Sequence, residues 1–285
     1  MAVSSVSTGG VLDVNGLVSQ LMAVESRPFV AMQNKEKAIT SQISAYGTLS
    51  GAVGAFQTTV TALADSSKYK VANATTSDDK VLTATAGKDT VKGNYSVNVT
   101  QLAQAQTISA AGQASTSTLI GSGASTVLTF DFGSVTGGTL TDGKYTGATF
   151  DLDATRVART VTIDGSNNSL QGIRDAINKA GIGVTASIIS DGSDKPNRLV
   201  LTSDKSGETS SMRVSVAGDQ DLSNLLSYAP NGTQNMTQSN AGQNAKLTVN
   251  GVAIISQTNS VDNAVPGVTM SVLKIGTSNV GVSMD

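Results

Sequence analysis

The sequence predicts an α+β protein in which a long N-terminal helical arm of the coiled-coil type precedes antiparallel β-rich domains, one of them with a short packed helix. Three observations lead to this prediction. Apolar residues near the N-terminus recur at steps of three and four, the spacing of a coiled-coil helix. From about Lys68 the apolar period becomes two, which is typical of β-strands. One later segment combines strand patterns with a single amphipathic helix.

The arm is predicted from a coiled-coil seam along one helix. We expect this helix to begin at Phe29, just after Pro28, and to end near Asp65, which gives it a length of roughly 55 Å. Glycines inside it each lower its stability by up to about 1 kcal/mol relative to Ala, so the helix needs a partner along its seam. The seam residues are Ile39, Ile43, Tyr46, Leu49, Val53, Phe56, Val60 and Leu63.

A shorter amphipathic segment precedes Pro28, with Asp13 or Asn15 as its candidate N-cap. Its apolar face can pack on its own domain, as amphipathic helices usually do, or it can contact another subunit. The second interpretation gains support because no sizeable globular core lies nearby in the sequence. The residues of this predicted leg face are Val14, Leu17, Leu21 and Val24.

Strand patterns begin after the arm, at residues 81–86 and 95–100. Residues 109–150 are instead rich in Ser, Thr, Gly and Ala and contain few apolar anchors. We therefore expect a flexible crossing there, which leads into an inserted region with only weak strands.

The best specified segment of the chain is an α+β unit around one short helix. Ser169 is the predicted N-cap of this helix, and Gly181 is the predicted left-handed residue that ends it. The buried stripe between them consists of Leu170, Ile173 and Ile177. The strands of this unit are predicted at residues 161–163, 184–189 and 199–202.

The last part of the chain is predicted to consist of strands. Asn250-Gly251 separates two alternating apolar runs, which is a strong signal for a hairpin with a two-residue turn. Two further strands are predicted at residues 268–273 and 280–284.

Composition excludes several functional classes. Charged residues make up only 14% of the chain and the net charge is −2, so there is no basic excess for binding nucleic acid. The absence of Cys and His excludes disulfides, thiolate zinc sites and most familiar catalytic constellations. We find no apolar stretch of membrane-spanning length and no features of a cleaved secretory signal. We therefore expect no enzymatic activity, no cofactor and no metal site.

Closely spaced aspartates are the one pattern that could hold a hard cation. Two carboxylates rarely fill the six or more positions around such a cation, so solvated turns and strand edges are the favoured interpretation. These pairs are Asp151 with Asp153 and Asp219 with Asp221.

Several stretches together resemble one family, the flagellar hook-associated protein 2 family, whose members cap the flagellar filament. They are GGVLDVNGLVSQLMAVESRPFVAMQ, YSVNVTQLAQAQTISA, SLQGIRDAINKAGIGVTASIISDG with RLVLTS, and AKLTVNGVAIISQTNSVDNAVPGVTMSVL. The resemblance implies a helical arm at residues 1–67, an incomplete first β-rich domain at 68–108 plus 241–285, and an inserted outer region of two small domains at 109–240. It also implies that C-terminal helices, which pair with the N-terminal one in the family, are missing here.

The resemblance implies a structural assembly factor at the distal end of the bacterial flagellar filament. Copies of the protein would form a homo-oligomeric plate that promotes flagellin polymerisation and prevents loss of subunits. The implied partners are further copies of the protein, flagellin, hook-filament junction proteins and an export chaperone that binds the missing C-terminal part. The protein would lie outside the cell at the flagellar tip, exported without a cleaved signal peptide. Two alternatives stay open, an adhesion module at the tip and another axial protein such as flagellin or a junction protein.

Overall fold

The computed structural model describes residues 14–64, 72–87 and 90–284. The chain divides into two compact units, Met1–Tyr69, here the helical unit, and Lys70–Asp285, here the β-rich unit. Each unit is described by itself.

The described part of the helical unit is one continuous helix, α1 (Val14–Ala64), of 51 residues and about 76 Å. The prediction that a helix begins after Pro28 is wrong, because α1 runs through this proline. A proline inside a helix loses one backbone hydrogen bond and clashes with a carbonyl one turn earlier, at a cost of about 3 kcal/mol, but its φ angle is helical. The helical sequence on both sides sustains the helix across it. Asn15 therefore lies inside α1 and does not cap it, and Asp13 and Asp65 lie outside the described residues.

The glycines of α1 make the stability of the helix testable. A Cβ added at Gly47, Gly51 or Gly54 would meet nothing within 4 Å. We expect the triple replacement by Ala to raise helix stability by up to about 1 kcal/mol per site, because Ala loses less backbone entropy on folding. Circular dichroism at 222 nm during heating measures this change. Gly172→Ala in α2 is the control with the opposite expected result, a loss of stability, because the added Cβ would lie 2.4 Å from the carbonyl oxygen of Asn167.

The β-rich unit contains two hydrophobic cores. The first core lies between a five-stranded and a three-stranded antiparallel sheet, and Leu82, Val97 and Met270 are among its fully buried residues. The five-stranded sheet has the order β1 (Ala72–Thr76), β16 (Gly276–Met284), β3 (Gly93–Gln101), β12 (Ala245–Val249), β13 (Val252–Ser256). The three-stranded sheet has the order β14 (Ser260–Val265), β15 (Val268–Val272), β2 (Leu82–Ala86).

The predicted hairpin at Asn250-Gly251 is confirmed. Both residues have positive φ angles, 48° and 84°, and they join β12 to β13. The backbone N–H of Ser96 on β3 donates to Oδ1 of Asn250 at 2.8 Å, which ties the turn to the neighbouring strand.

The second core is built from residues between Ile108 and Met236. Two four-stranded antiparallel sheets and two helices enclose it. In one sheet β5 (Thr126–Thr141) pairs with β6 (Lys144–Leu152), β7 (Arg159–Ile163) and β10 (Ser211–Ala217). The other sheet has the order β11 (Thr237–Asn240), β4 (Thr107–Ser109), β9 (Asn197–Ser203), β8 (Val184–Ser190), and the helices are α2 (Leu170–Ala180) and α3 (Gln220–Leu226).

The predictions for α2 are confirmed. Oγ of Ser169 accepts a hydrogen bond from the backbone N–H of Gly172 at 3.1 Å, and Gly181 ends the helix in the left-handed conformation. The predicted stripe, Leu170, Ile173 and Ile177, is fully buried.

The prediction of a flexible crossing at residues 109–150 is wrong. This part of the chain contains β5, which has 16 residues, and its hairpin partner β6. The first half of β5 is anchored by Leu128, Phe130 and Phe132 in the second core. The second half has no buried apolar residue, but backbone pairing with β6 holds it. The backbone N–H of Gln238 also donates to the carbonyl of Gly143 at the hairpin tip, at 2.8 Å.

Candidate protein-binding surface

The predicted contact residues all lie on α1, and none of the 51 residues of this helix is buried. Leu21 is the most exposed of the leg face, at 71%, and Tyr46 reaches the same value in the seam. The other predicted residues on α1 are also exposed: Val14, Leu17, Val24, Ile39, Ile43, Leu49, Val53, Phe56, Val60 and Leu63.

The continuity of α1 joins the leg face and the seam into one surface. At 3.6 residues per turn, Val14, Leu21 and Ile39 point to nearly the same side of the helix. The two predicted sets therefore form a single apolar stripe. Along the seam this stripe rotates slowly around the helix, because a heptad repeat does not match the 3.6 residues of a helical turn. From the sequence, Pro28 predicts a break between the two sets. Further apolar residues between and beside the two sets, which the predicted faces do not include, are also exposed: Val18, Met22, Phe29 and Met32.

Charge is concentrated in a short part of α1. Its charged residues are Glu25, Arg27, Lys35, Glu36 and Lys37, and residues 38–64 carry none. Helices that stay in water usually show charged side chains on the solvent face. An uncharged helix with a row of exposed apolar side chains is typical of a surface that another protein covers. Its binding energy would come from apolar burial, at about 1.5 to 3 kcal/mol for each large side chain that becomes fully buried.

The aspartate pairs of the β-rich unit serve local structure. Asp151 accepts from the hydroxyl of Thr136 at 2.8 Å, and Asp153 accepts from the backbone and hydroxyl of Thr155. Asp219 is the N-cap of α3. Within residues 14–64, 72–87 and 90–284, no three His, Cys, Asp or Glu residues gather as they would around a metal ion.

Asp219 makes a pH dependence of stability predictable. Hydrogen bonds from the Ser122 hydroxyl and amide, and from the first turn of α3, hold the pKa of Asp219 down to about 2. Because the pKa of an unfolded Asp is about 3.9, this contribution to stability is complete above about pH 4 and is lost as the pH falls towards 2. We expect the melting temperature of Asp219→Asn to fall less steeply between pH 4 and pH 2 than that of the unmodified chain. Some slope remains, because the pKa values of Asp153, Asp164 and Asp191 are also lowered. Asp221→Asn is the matched control and should keep the slope, because the Asp221 carboxylate accepts none of these bonds.

Among the described helices, none is long and apolar enough to cross a membrane.

Three family profiles match the chain in order along its length. "Flagellar hook-associated protein 2 N-terminus" matches residues 11–106, which include all of α1. "Flagellin hook IN motif" matches residues 139–205, which include α2. "Flagellar hook-associated protein 2 C-terminus" matches residues 242–285.

Individual relatives agree with these profiles. The chain is 35% identical to the flagellar hook-associated protein 2 of Escherichia coli K12 over 263 residues, which cover 92% of this chain and 52% of the relative. The chain thus spans about half the length of the curated relatives it matches.

Solved structures of flagellar cap proteins show the same fold. The D1-D2-D3 domains of the flagellar cap protein FliD from Escherichia coli match with a TM-score of 0.70 and 34% identity, over 85% of this chain and 63% of that one. The D2-D3 domains of the same protein match with a TM-score of 0.64 and 33% identity, over 75% of this chain and all of that one. The chain therefore belongs to the flagellar hook-associated protein 2 family.

Proposed function

We propose that this chain belongs to a structural protein that caps the distal end of a bacterial flagellar filament. The observation that carries the proposal is the 51-residue helix α1 without a buried residue, in a chain whose relatives include solved flagellar cap proteins. A helix of this length with an apolar stripe needs other helices or subunits to cover it. In a cap, those would be other helices of the cap protein, neighbouring copies and flagellin.

The leg face of α1 is the proposed contact with flagellin or hook-filament junction subunits. This assignment rests on the exposure of Val14, Leu17, Leu21 and Val24 and on the absence of charge among them. The seam from Ile39 to Leu63 is proposed to pair with helices outside this chain. Export without a cleaved signal peptide, and an export chaperone for another part of the protein, belong to the same proposal.

The β-rich unit is proposed to form the plate around the filament axis. The first core would belong to the discontinuous domain predicted at residues 68–108 plus 241–285, and the second core to the insertion predicted at 109–240. Ile108 on β4 packs in the second core, so the boundary would lie slightly earlier than residue 109. Two separate cores, each closed by its own sheets, support this division. We propose that the whole assembly acts by contact alone, without an enzymatic reaction. In support, three of the four paired aspartates, Asp151, Asp153 and Asp219, are engaged in local hydrogen bonds.

The mass and symmetry of particles formed by the full-length protein test this function. We expect closed homo-oligomers in analytical ultracentrifugation and in class averages from electron microscopy. A monomer at every concentration would contradict the proposal. Gold labelling of assembled flagella should mark the filament tip, and labelling along the shaft would favour another axial protein.

A further inference from the structure

A cavity of about 340 Å³ lies at the C-terminal end of α2 in the β-rich unit. The loop between β6 and β7 forms one wall, and the residues from Gly181 to Gly183, where α2 passes into β8, form another. Phe132 of β5 also lines it. Two arginines enter the cavity, Arg156 from the loop and Arg159 from the start of β7.

The two arginines of this cavity differ from the others in the β-rich unit. The other three form ion pairs with aspartates, which are Arg174–Asp175, Arg198–Asp191 and Arg213–Asp131. Within the described residues, the guanidinium groups of Arg156 and Arg159 have neither an ion pair nor a hydrogen bond. Each guanidinium carries five N–H donors, so the two groups bring unpaired donors to the cavity.

Arg156 is held in place although it lacks a polar partner. Its guanidinium carbon lies 3.5 Å from the centre of the Phe132 ring, which is a stacked cation–π contact. Gly183 permits this position, because an added Cβ would lie 3.3 Å from Nη2 of Arg156. Burial lowers the pKa of Arg156, and the charge of Asp153 opposes that shift. The stacked group is thus partly removed from water and already ordered before a ligand arrives.

We propose that this cavity binds a carboxylate, and that its natural ligand is an Asp or Glu side chain of a protein partner. A planar guanidinium matches a carboxylate through two parallel hydrogen bonds, and ordering it in advance lowers the entropic cost of binding. The C-terminal end of α2 and the nearby Asp153 carry negative charge, which favours a monoanion over a doubly charged phosphate. Val157 of the lining is 77% exposed, so the cavity is open on this side and a side chain carried on the surface of another protein can reach it.

Carboxylate binding at this site goes beyond the proposed function. It does not depend on cap assembly, so it can be measured on this chain alone. The probe is N-acetylglutamate amide, a monoanion with a peptide-like backbone, titrated while the Arg Nε–Hε signals are followed by NMR. We expect saturable shifts for Arg156 and Arg159, and none with the neutral N-acetylglutamine amide. Arg159→Gln should weaken binding about tenfold, since it removes a charge-assisted hydrogen bond from an exposed strand position.

Two further variants separate binding from structure. Arg156→Lys keeps the positive charge but loses the paired N–H donors of the planar guanidinium. We therefore expect weaker binding with an unchanged backbone amide spectrum. Arg174→Gln, on the exposed surface of α2, should bind the probe like the unmodified chain. The proposal is overturned by equal shifts with the neutral probe, by unchanged binding in Arg159→Gln, or by tighter binding of inorganic phosphate than of the carboxylate.

Discussion

Replacing Leu21 by Asp in the full-length protein is expected to stop filament elongation without unfolding this chain. Leu21 is the most exposed residue of the proposed leg face, so the substitution removes no core contact. In an assembled cap the same position would place an unpaired carboxylate in an apolar interface. The loss of about 1.5 to 3 kcal/mol of Leu burial, together with the desolvation of the charge, weakens the contact at least about tenfold.

Ser19→Asp is the matched control for this prediction. Ser19 is exposed and lies on the opposite side of α1 from Leu21, so the same charge would remain in water. Filament length in a strain that carries each variant, measured by electron microscopy, compares the two sides. The melting curve of each variant checks that α1 still folds. Normal filaments with Leu21→Asp would show that the leg face is assigned to the wrong side of the helix.

The parts of the fold that sequence predicts well are those where local chemistry and packing agree. The helix α2 has an N-cap serine, a stripe at helical spacing and a glycine stop, and each of these acts within a few residues. The hairpin at Asn250-Gly251 is similar, because the two-residue turn determines the register of both strands.

The missed elements depend on contacts that are distant in sequence. The outer half of β5 is rich in Thr and Gly, and it is stabilised by pairing with β6 and by docking of the hairpin on Gln234 and Gln238. Pro28 predicts a helix start because local rules favour proline there, yet the helical sequence on both sides outweighs the lost hydrogen bond. The short α3 is not among the predicted elements, although its N-cap is local: Asp219 accepts from the backbone N–H groups of Asp221 and Leu222. The same carboxylate also accepts from Ser122, 97 residues earlier, which is a contact that the sequence does not show.

The candidate surface was predictable residue by residue but not as a whole. Periodicity alone identified the apolar positions of the leg face and of the seam, because they recur at helical spacing. That the leg face and the seam form one stripe can be inferred only once α1 is known to continue through Pro28. The arginine cavity lay beyond sequence reasoning, because Arg156 and Phe132 meet only when the loop after β6 folds back on β5.

Truncation of one residue in each core is expected to reveal whether the β-rich unit folds as one domain or two. Phe130 is fully buried in the second core, and Phe130→Ala should cost about 3 to 5 kcal/mol. Leu82 is fully buried in the first core, and Leu82→Ala should cost about 2 to 5 kcal/mol. Hydrogen exchange with mass spectrometry shows which amides lose protection. With two domains, Phe130→Ala exposes α2 and β9, whereas Leu82→Ala exposes β3 and β16.

The contacts between the two cores favour this separation. The chain crosses between them at Gln104 and Gln243, whose backbones pair through hydrogen bonds of 2.9 and 3.1 Å. The nearby contacts are also polar, such as the Ser206 hydroxyl on the carbonyl of Gln257 at 2.8 Å. Polar contacts of this kind couple neighbouring domains weakly compared with a shared apolar core. Val127→Ala, on the outer face of β5, is the control for the effect of shortening a side chain outside either core. Faster exchange throughout the unit in both core variants would show that the β-rich unit is a single cooperative domain.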